Sequence, residues 1–155
     1  MNARLLTIAA VLMLVGAGCA PATGTTVSTS TGGSVLDLSG QGLRSLPSST
    51  FSRTGLRELD ISDNALTGAL PGEIRFLSKL EVLDASGNQM TGVPAEIGQL
   101  ANLRILDLSD NKLTGLPNEL GNLKRLETLD LSGNAVSEQD LEVIRKGIPN
   151  ARIVR

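Results

Sequence analysis

The chain contains no tryptophan, tyrosine or histidine, and among its 155 residues there are only two phenylalanines, Phe51 and Phe76. A compact core built on large rings is therefore excluded, and any interior must come from many similar aliphatic side chains stacked in a regular way. Without histidine, a Ser-His-Asp or Cys-His nucleophile cannot be assembled. One cysteine, Cys19, excludes an internal disulfide framework and a four-ligand Cys/His zinc site. The 14 basic and 16 acidic residues give a net charge of −2, so the basic stripe that nucleic acid demands is missing. No Gly-x-x-x-x-Gly-Lys phosphate loop appears. The expectation is a protein with no enzymatic site, no cofactor, no metal and no nucleic-acid partner.

What is present is repetition. LRELDISDNALTGALP from Leu56, LEVLDASGNQMTGVP from Leu80, LRILDLSDNKLTGLP from Leu103 and LETLDLSGNAV from Leu126 start 24, 23 and 23 residues apart. A degraded first copy, SVLDLSGQGLRSLP, begins at Ser34. A fixed period in the twenties marks units that cannot bury an apolar face alone and must stack on their neighbours. Five copies exceed the roughly three such units needed for stability.

The pattern L-x-x-L-x-L-x-x-N-x-L within that period resembles the leucine-rich repeat family over residues 34–155. The resemblance implies an α/β solenoid: a short, right-handed, curved stack of coils with a parallel β-sheet on the concave face and short helical or 3-10 turns on the convex face. Each L-x-L becomes a strand, with Leu36/Leu38, Leu59/Ile61, Leu83/Ala85, Leu106/Leu108 and Leu129/Leu131 pointing inward. It also implies that Asn64, Asn88, Asn111 and Asn134 form a structural ladder bonding backbone groups of their own and adjacent coils. Gln41 replaces the first rung, which suggests a looser first coil.

Thr67-Gly68, Thr91-Gly92 and Thr114-Gly115 supply a turn where glycine is tolerated, and Pro71, Pro94 and Pro117 follow where no ladder needs an amide. GEIRFLSK, AEIGQLAN and NELGNLKR then place one helical turn per coil, similar to the extracellular plant-type consensus LTGxIPxxIGxL. The first copy breaks this pattern, with PSSTFSRTG offering only Phe51 as an anchor. Five repeats thus fill residues 34–136, and residues 137–155 read as a C-terminal capping helix and last strand. Ser137-x-x-Asp140 opens that helix, Leu141, Ile144 and Ile148 keep helical spacing, Gly147 stands at the C-cap and Pro149 beyond it.

The non-leucine strand positions face the concave side in rows: Val35, Glu58, Val82, Ile105, Thr128, then Asp37, Asp60, Asp84, Asp107, Asp130, then Ser39, Ser62, Ser86, Ser109, Ser132. The first two rows are the candidate partner-binding face. Five carboxylates stacked about 4.8 Å apart repel, so either the adjacent serines and solvent offset the repulsion or the ladder recruits cations or a basic partner segment. Arg57 and Arg104, at the strand entrances, read as countercharges.

Residues 1–18 carry Arg4, an apolar run from Leu5 to Val15 broken only by Thr7, then Gly16, Ala17 and Gly18 before Cys19. The run is shorter than the roughly twenty residues of a membrane span and reads as a signal peptide to be removed. The small residues before Cys19 resemble a bacterial lipoprotein signal, although Gly16 stands where that family prefers leucine. This resemblance implies diacylglycerol on the Cys19 sulfur, N-acylation such as palmitate, and attachment to the cell envelope, the outer membrane being favoured by Ala20. The competing expectation is ordinary secretion with cleavage after Ala20-Pro21-Ala22. Residues 19–33, small and polar after the cysteine, read as a tether. Together these readings predict a monomeric protein-interaction module anchored to the envelope. The alternatives are a structural spacer and a secreted protein whose Asp ladder binds cations.

Overall fold

The computed structural model describes residues 34–155; the signal segment, Cys19 and the tether lie outside the described residues. Eight strands occur in this span: β1 (Val35–Asp37), β2 (Glu58–Asp60), β3 (Thr67–Gly68), β4 (Val82–Asp84), β5 (Gln89–Met90), β6 (Ile105–Asp107), β7 (Thr128–Asp130) and β8 (Arg152–Val154). Six of them form one parallel sheet in the order β1-β2-β4-β6-β7-β8. In this sheet Leu36, Leu59, Leu83, Leu106, Leu129 and Ile153 stand directly opposite one another. The next file inward, Leu38, Ile61, Ala85, Leu108 and Leu131, is buried along its whole length. Every coil finishes the interior of its neighbour, which is why three-residue strands suffice.

The convex side is a second file of short turns. 3-10 segments run over Ser48–Thr50, Gly72–Phe76, Ala95–Gln99 and Asn118–Asn122, each preceded by a proline in extended conformation. Proline suits that place because its missing N–H is one that the first turn cannot use anyway. Each proline carbonyl instead accepts the amide three residues on, at Thr50, Ile74, Ile97 and Leu120, with N···O distances of 2.9 to 3.2 Å. The first coil therefore does not lack the turn. It makes a shorter one, with Thr50 buried in the place of Ile74 and Phe51 filling the core beside it.

The backbone sharpens one further expectation and corrects another. Of the three Thr-Gly pairs only Gly68 has a left-handed conformation, at φ +71°. The second coil is longer by Ala69, and glycine's freedom at position 68 absorbs the insertion while Thr67–Gly68 pairs in parallel with Gln89–Met90. Gly147 is likewise not a left-handed cap but the last residue of α1 (Glu138–Gly147). A β-carbon there would lie 2.3 Å from the carbonyl oxygen of Gly121, so glycine is required for the close approach of α1 to the 3-10 turn beneath it.

Helix α1 takes the convex place in the fifth coil and caps the stack. Its first turn is closed by Ser137 Oγ accepting the Asp140 amide at 3.2 Å. Leu141, Ile144 and Ile148 are buried against the preceding coil. Lys124 Nζ pins the seam by donating to the carbonyls of both Gly121 and Gly147 at 2.8 Å. Among the described residues no helix is long and apolar enough to cross a membrane.

Candidate interaction face

Successive side chains of a strand point to opposite faces, so sinking the leucines inward turns their neighbours onto the concave surface. Parallel register then aligns those neighbours from coil to coil. Val35, Glu58, Val82, Ile105 and Thr128 form one file, and Asp37, Asp60, Asp84, Asp107 and Asp130 another. β8 extends both files, placing Arg152 beside Thr128 and Val154 beside Asp130. The sequence reading stopped one strand short of these two residues. The signal was there: RIV repeats the alternation of TLD 24 residues later. Val35 is 40% exposed at the open end of its file, whereas Asp107, in the middle of the stack, is only 9% exposed and is the least accessible of the ten.

The aspartates have a local task. In each coil Oδ1 accepts the backbone N–H of the serine two residues on, at 2.9 to 3.0 Å for Ser39, Ser62, Ser86, Ser109 and Ser132. The hydroxyls of Ser39, Ser62, Ser86 and Ser132 donate to the same oxygen at 2.6 to 2.7 Å. This is an Asx turn, in which a carboxylate imitates a backbone carbonyl and bends the chain out of the strand. Burial pushes the carboxyl of Asp84 above its ordinary value, the charges of Asp107 and Asp60 push the same way, and the bonds from Ser86 oppose them.

Arg57 and Arg104 do not reach this row. Arg57 pairs with Glu81, and Arg104 grips both oxygens of Glu127 at 2.8 and 3.1 Å. Each pair spans from one strand entrance to the next, and the hydrogen bond from Arg104 holds the Glu127 carboxyl below its usual range.

Behind the strands, the asparagines tie coil to coil. Asn111 Nδ2 donates to the carbonyls of Ala85, Leu108 and Ser109 at 3.0 to 3.1 Å, while its Oδ1 accepts the amide of Met90 at 3.0 Å. Asn64, Asn88 and Asn134 repeat this pattern, each taking one carbonyl from the preceding coil and two from its own. Gln41 stands where no described coil precedes it; only its backbone amide enters the ladder, donating to Asn64 Oδ1 at 3.1 Å.

A feature missed by the sequence reading sits at the rim. Gly40, Asp63, Gly87, Asp110 and Gly133 all take left-handed φ, between +52° and +73°. Asp63 Oδ1 would lie 2.4 Å from a β-carbon on Gly87, and Asp110 Oδ1 the same distance from one on Gly133. Aspartate in one coil therefore covers glycine in the next, and the alternation adds two carboxylates to the concave edge. Among the described residues no group of histidine, cysteine, aspartate or glutamate is arranged to hold a metal ion.

A model described as "Leucine-rich repeat region" matches residues 34–142. Among solved structures, the leucine-rich repeat protein LIC12759 of Leptospira interrogans is similar at a TM-score of 0.68 and 41% identity, covering 72% of this chain and 28% of that one. A chain of the BIR3–SERK2 complex from Arabidopsis thaliana is similar at 0.60 and 40% identity, covering 66% of this chain and 56% of that one. The curated exoribonuclease subunit Ccr4 of the CCR4-Not complex of Neurospora crassa is 55% identical over 51 residues, which is 33% of this chain and 6% of that protein. The chain thus spans less than two thirds of each of these proteins, and the match to Ccr4 is a partial one confined to repeat sequence.

Proposed function

Because this chain belongs to the leucine-rich repeat family, whose domains serve as protein-interaction modules, we propose that its concave sheet binds a protein partner without catalysis while Cys19 tethers it to a bacterial envelope. The observation that carries the binding half is the register of the two concave files, which presents a mixed row, apolar at Val35, Val82 and Ile105, beside an acidic row on an open curved surface. Such a surface offers side-chain complementarity along its length but no enclosed, water-excluding pocket for a reaction. The tether rests on the sequence before Ser34, where a lone cysteine follows a short apolar run and small residues.

Two experiments test these halves separately. Mass spectrometry of the mature N-terminus is expected to find Cys19 carrying acyl chains, and an unmodified chain beginning at Thr23 would end the anchoring proposal. Cross-linking in intact cells is expected to capture a reproducible partner that is lost in Glu58→Arg and Val82→Arg, which alter the concave face without touching the Asx turns. A spacer role gains from the uniformity of the aspartate row, since exacting interfaces favour large, varied anchors; absence of any reproducible cross-link would decide for it.

A further inference from the structure

The repeats supply their own internal control for what belongs at each convex position. In the third and fourth coils the residues after Ile97 and Leu120 are Gly98-Gln99 and Gly121-Asn122, whereas after Ile74 they are Arg75-Phe76. Glycine is needed at 98 because a β-carbon there would meet the Glu119 carbonyl oxygen at 2.3 Å, and polar residues at 99 and 122 are what exposed sites ordinarily carry. The second coil departs at both places at once. Phe76 is 48% exposed, so it does little for the core, and the Arg75 guanidinium sits 4.9 Å from the centre of its ring.

That pair borders an open groove of about 340 Å³ lined by Leu46, Ser48, Phe51, Pro71, Glu73 and Phe76 among others. The only two aromatic residues of the chain thus both line this groove, Phe51 from the core and Phe76 from the surface. A smaller hollow beside it shares Leu46 and Pro71 and is flanked by Arg44. The first two coils also expose Arg44, Arg53, Arg75 and Lys79, while Glu73 lines the groove and the Glu96 side chain of the third coil lies beside Gly72. An exposed aromatic side chain with cationic neighbours is the composition that settles at a lipid headgroup boundary, ring in the acyl region and charge at the phosphates.

We propose that this convex corner of the first two coils rests on an anionic bilayer surface, with Phe76 inserted and Arg75 at the phosphates. The choice of a lipid surface rests on the tether reading above. The chain enters the stack at its first coil, and the stretch from Cys19 to Ser34 reaches at most about 50 Å even fully extended. The bilayer that holds Cys19 is therefore always within reach of the end that carries the groove.

The test uses the mature full-length chain with Cys19→Ser, so that no acyl chain contributes, and vesicles of phosphatidylethanolamine with phosphatidylglycerol or of phosphatidylcholine alone. Co-sedimentation is expected with the anionic vesicles and is expected to fall about tenfold in Phe76→Gln, the loss of one partly buried ring. Arg75→Gln should abolish the preference for anionic over neutral vesicles. Phe76→Gln copies the third coil at an exposed site, so an unchanged melting temperature will show that folding is not the cause. Equal partition of Phe76→Gln and the parent, or a Phe76-dependent cross-link to a protein with no vesicle binding, overturns the proposal. Failure of the tether reading is seen independently in the mass of the mature N-terminus. Phe76-dependent partition of an unacylated protein would leave the present proposal standing.

Discussion

The two ends of the solenoid solve one problem in different ways. At the C-terminal end α1 is drawn so close to the fourth-coil turn that Gly147 has no room for a side chain against the Gly121 backbone, and Lys124 bridges the carbonyls of the two glycines. At the other end the first coil makes a three-residue 3-10 turn, buries Thr50 where its successors bury Ile74, Ile97 and Leu120, and has Gln41 in place of the ladder asparagine. One end is held by backbone packed on backbone, the other by side chains filling what space there is. Units at the two ends thus differ in tolerance according to how closely the neighbouring backbone approaches.

The largest expected effect comes from breaking the tight seam. Gly147→Ala would thrust a methyl group to 2.3 Å from the Gly121 carbonyl oxygen and 2.5 Å from its Cα. Neither backbone can yield without lifting Leu141, Ile144 and Ile148 from the core. A loss of about 3 kcal/mol is expected, as for an overpacked interior, read as a lower urea midpoint. Gly55→Ala at the other end meets nothing within 4 Å and needs no left-handed φ. It should stay within about 0.5 kcal/mol of the parent. Equal losses would mean that the ends are held alike.

A smaller contrast sharpens the same point inside the ladder. Asn111→Ala strands the amide of Met90 and takes one of two donors from the carbonyl of Ala85, which keeps Asn88. The expected cost is about 2 to 3 kcal/mol, that of a stranded buried amide together with the lost bonds between coils. Gln41→Ala removes a side chain with no described coil before it to serve and should change the midpoint by less than about 0.5 kcal/mol. Ser137→Ala lies between them, at about 1 kcal/mol for a lost helix cap. All three can be measured by chemical denaturation of the full chain.

The solenoid was legible because its cause is periodic: leucines recurring every 23 or 24 residues with L-x-L inside each copy specify both the stacking and the inward face of each strand. The concave rows follow directly, since in register every residue flanking a leucine falls into file. What sequence spacing could not show is contact between residues of different coils. The approach of Gly147 to Gly121 depends on two backbones whose distance no local pattern encodes, and the cover of Gly87 by Asp63 depends on a side chain leaning across a coil boundary. Gly147 looked like a helix stop because glycine so often is one. The turn in the first coil was missed because Thr50 fills the position that the later copies give to isoleucine or leucine, and Phe51 stands where they have arginine or glycine, so the pattern vanished while the geometry survived.

The smallest effect concerns charge within the file rather than packing at its ends. Asp84 has aspartates on both sides, Asp60 and Asp107, while Asp37 at the end of the row has one such neighbour and is exposed. Because the folded-state pKa of Asp84 is raised, mainly by burial, its protonated form is favoured by folding. Its contribution to stability is fully present below the unfolded value and is lost as pH rises through the folded one. Asn keeps an Oδ1 able to accept from the Ser86 amide and hydroxyl, so Asp84→Asn removes the charge and spares the turn. The variant should therefore melt slightly above the parent at neutral pH, and the gap should close as pH falls below the ordinary aspartate range. Asp37→Asn should shift the neutral-pH midpoint less. Glu127 provides the opposite sign: lowered by Arg104, it stabilises above the unfolded glutamate value, so Glu127→Gln should cost most at neutral pH and least in acid. If Asp84→Asn instead lowered the melting temperature at neutral pH, the carboxylate would be doing more than closing its turn, and the acidic file would have to be held by a counterion.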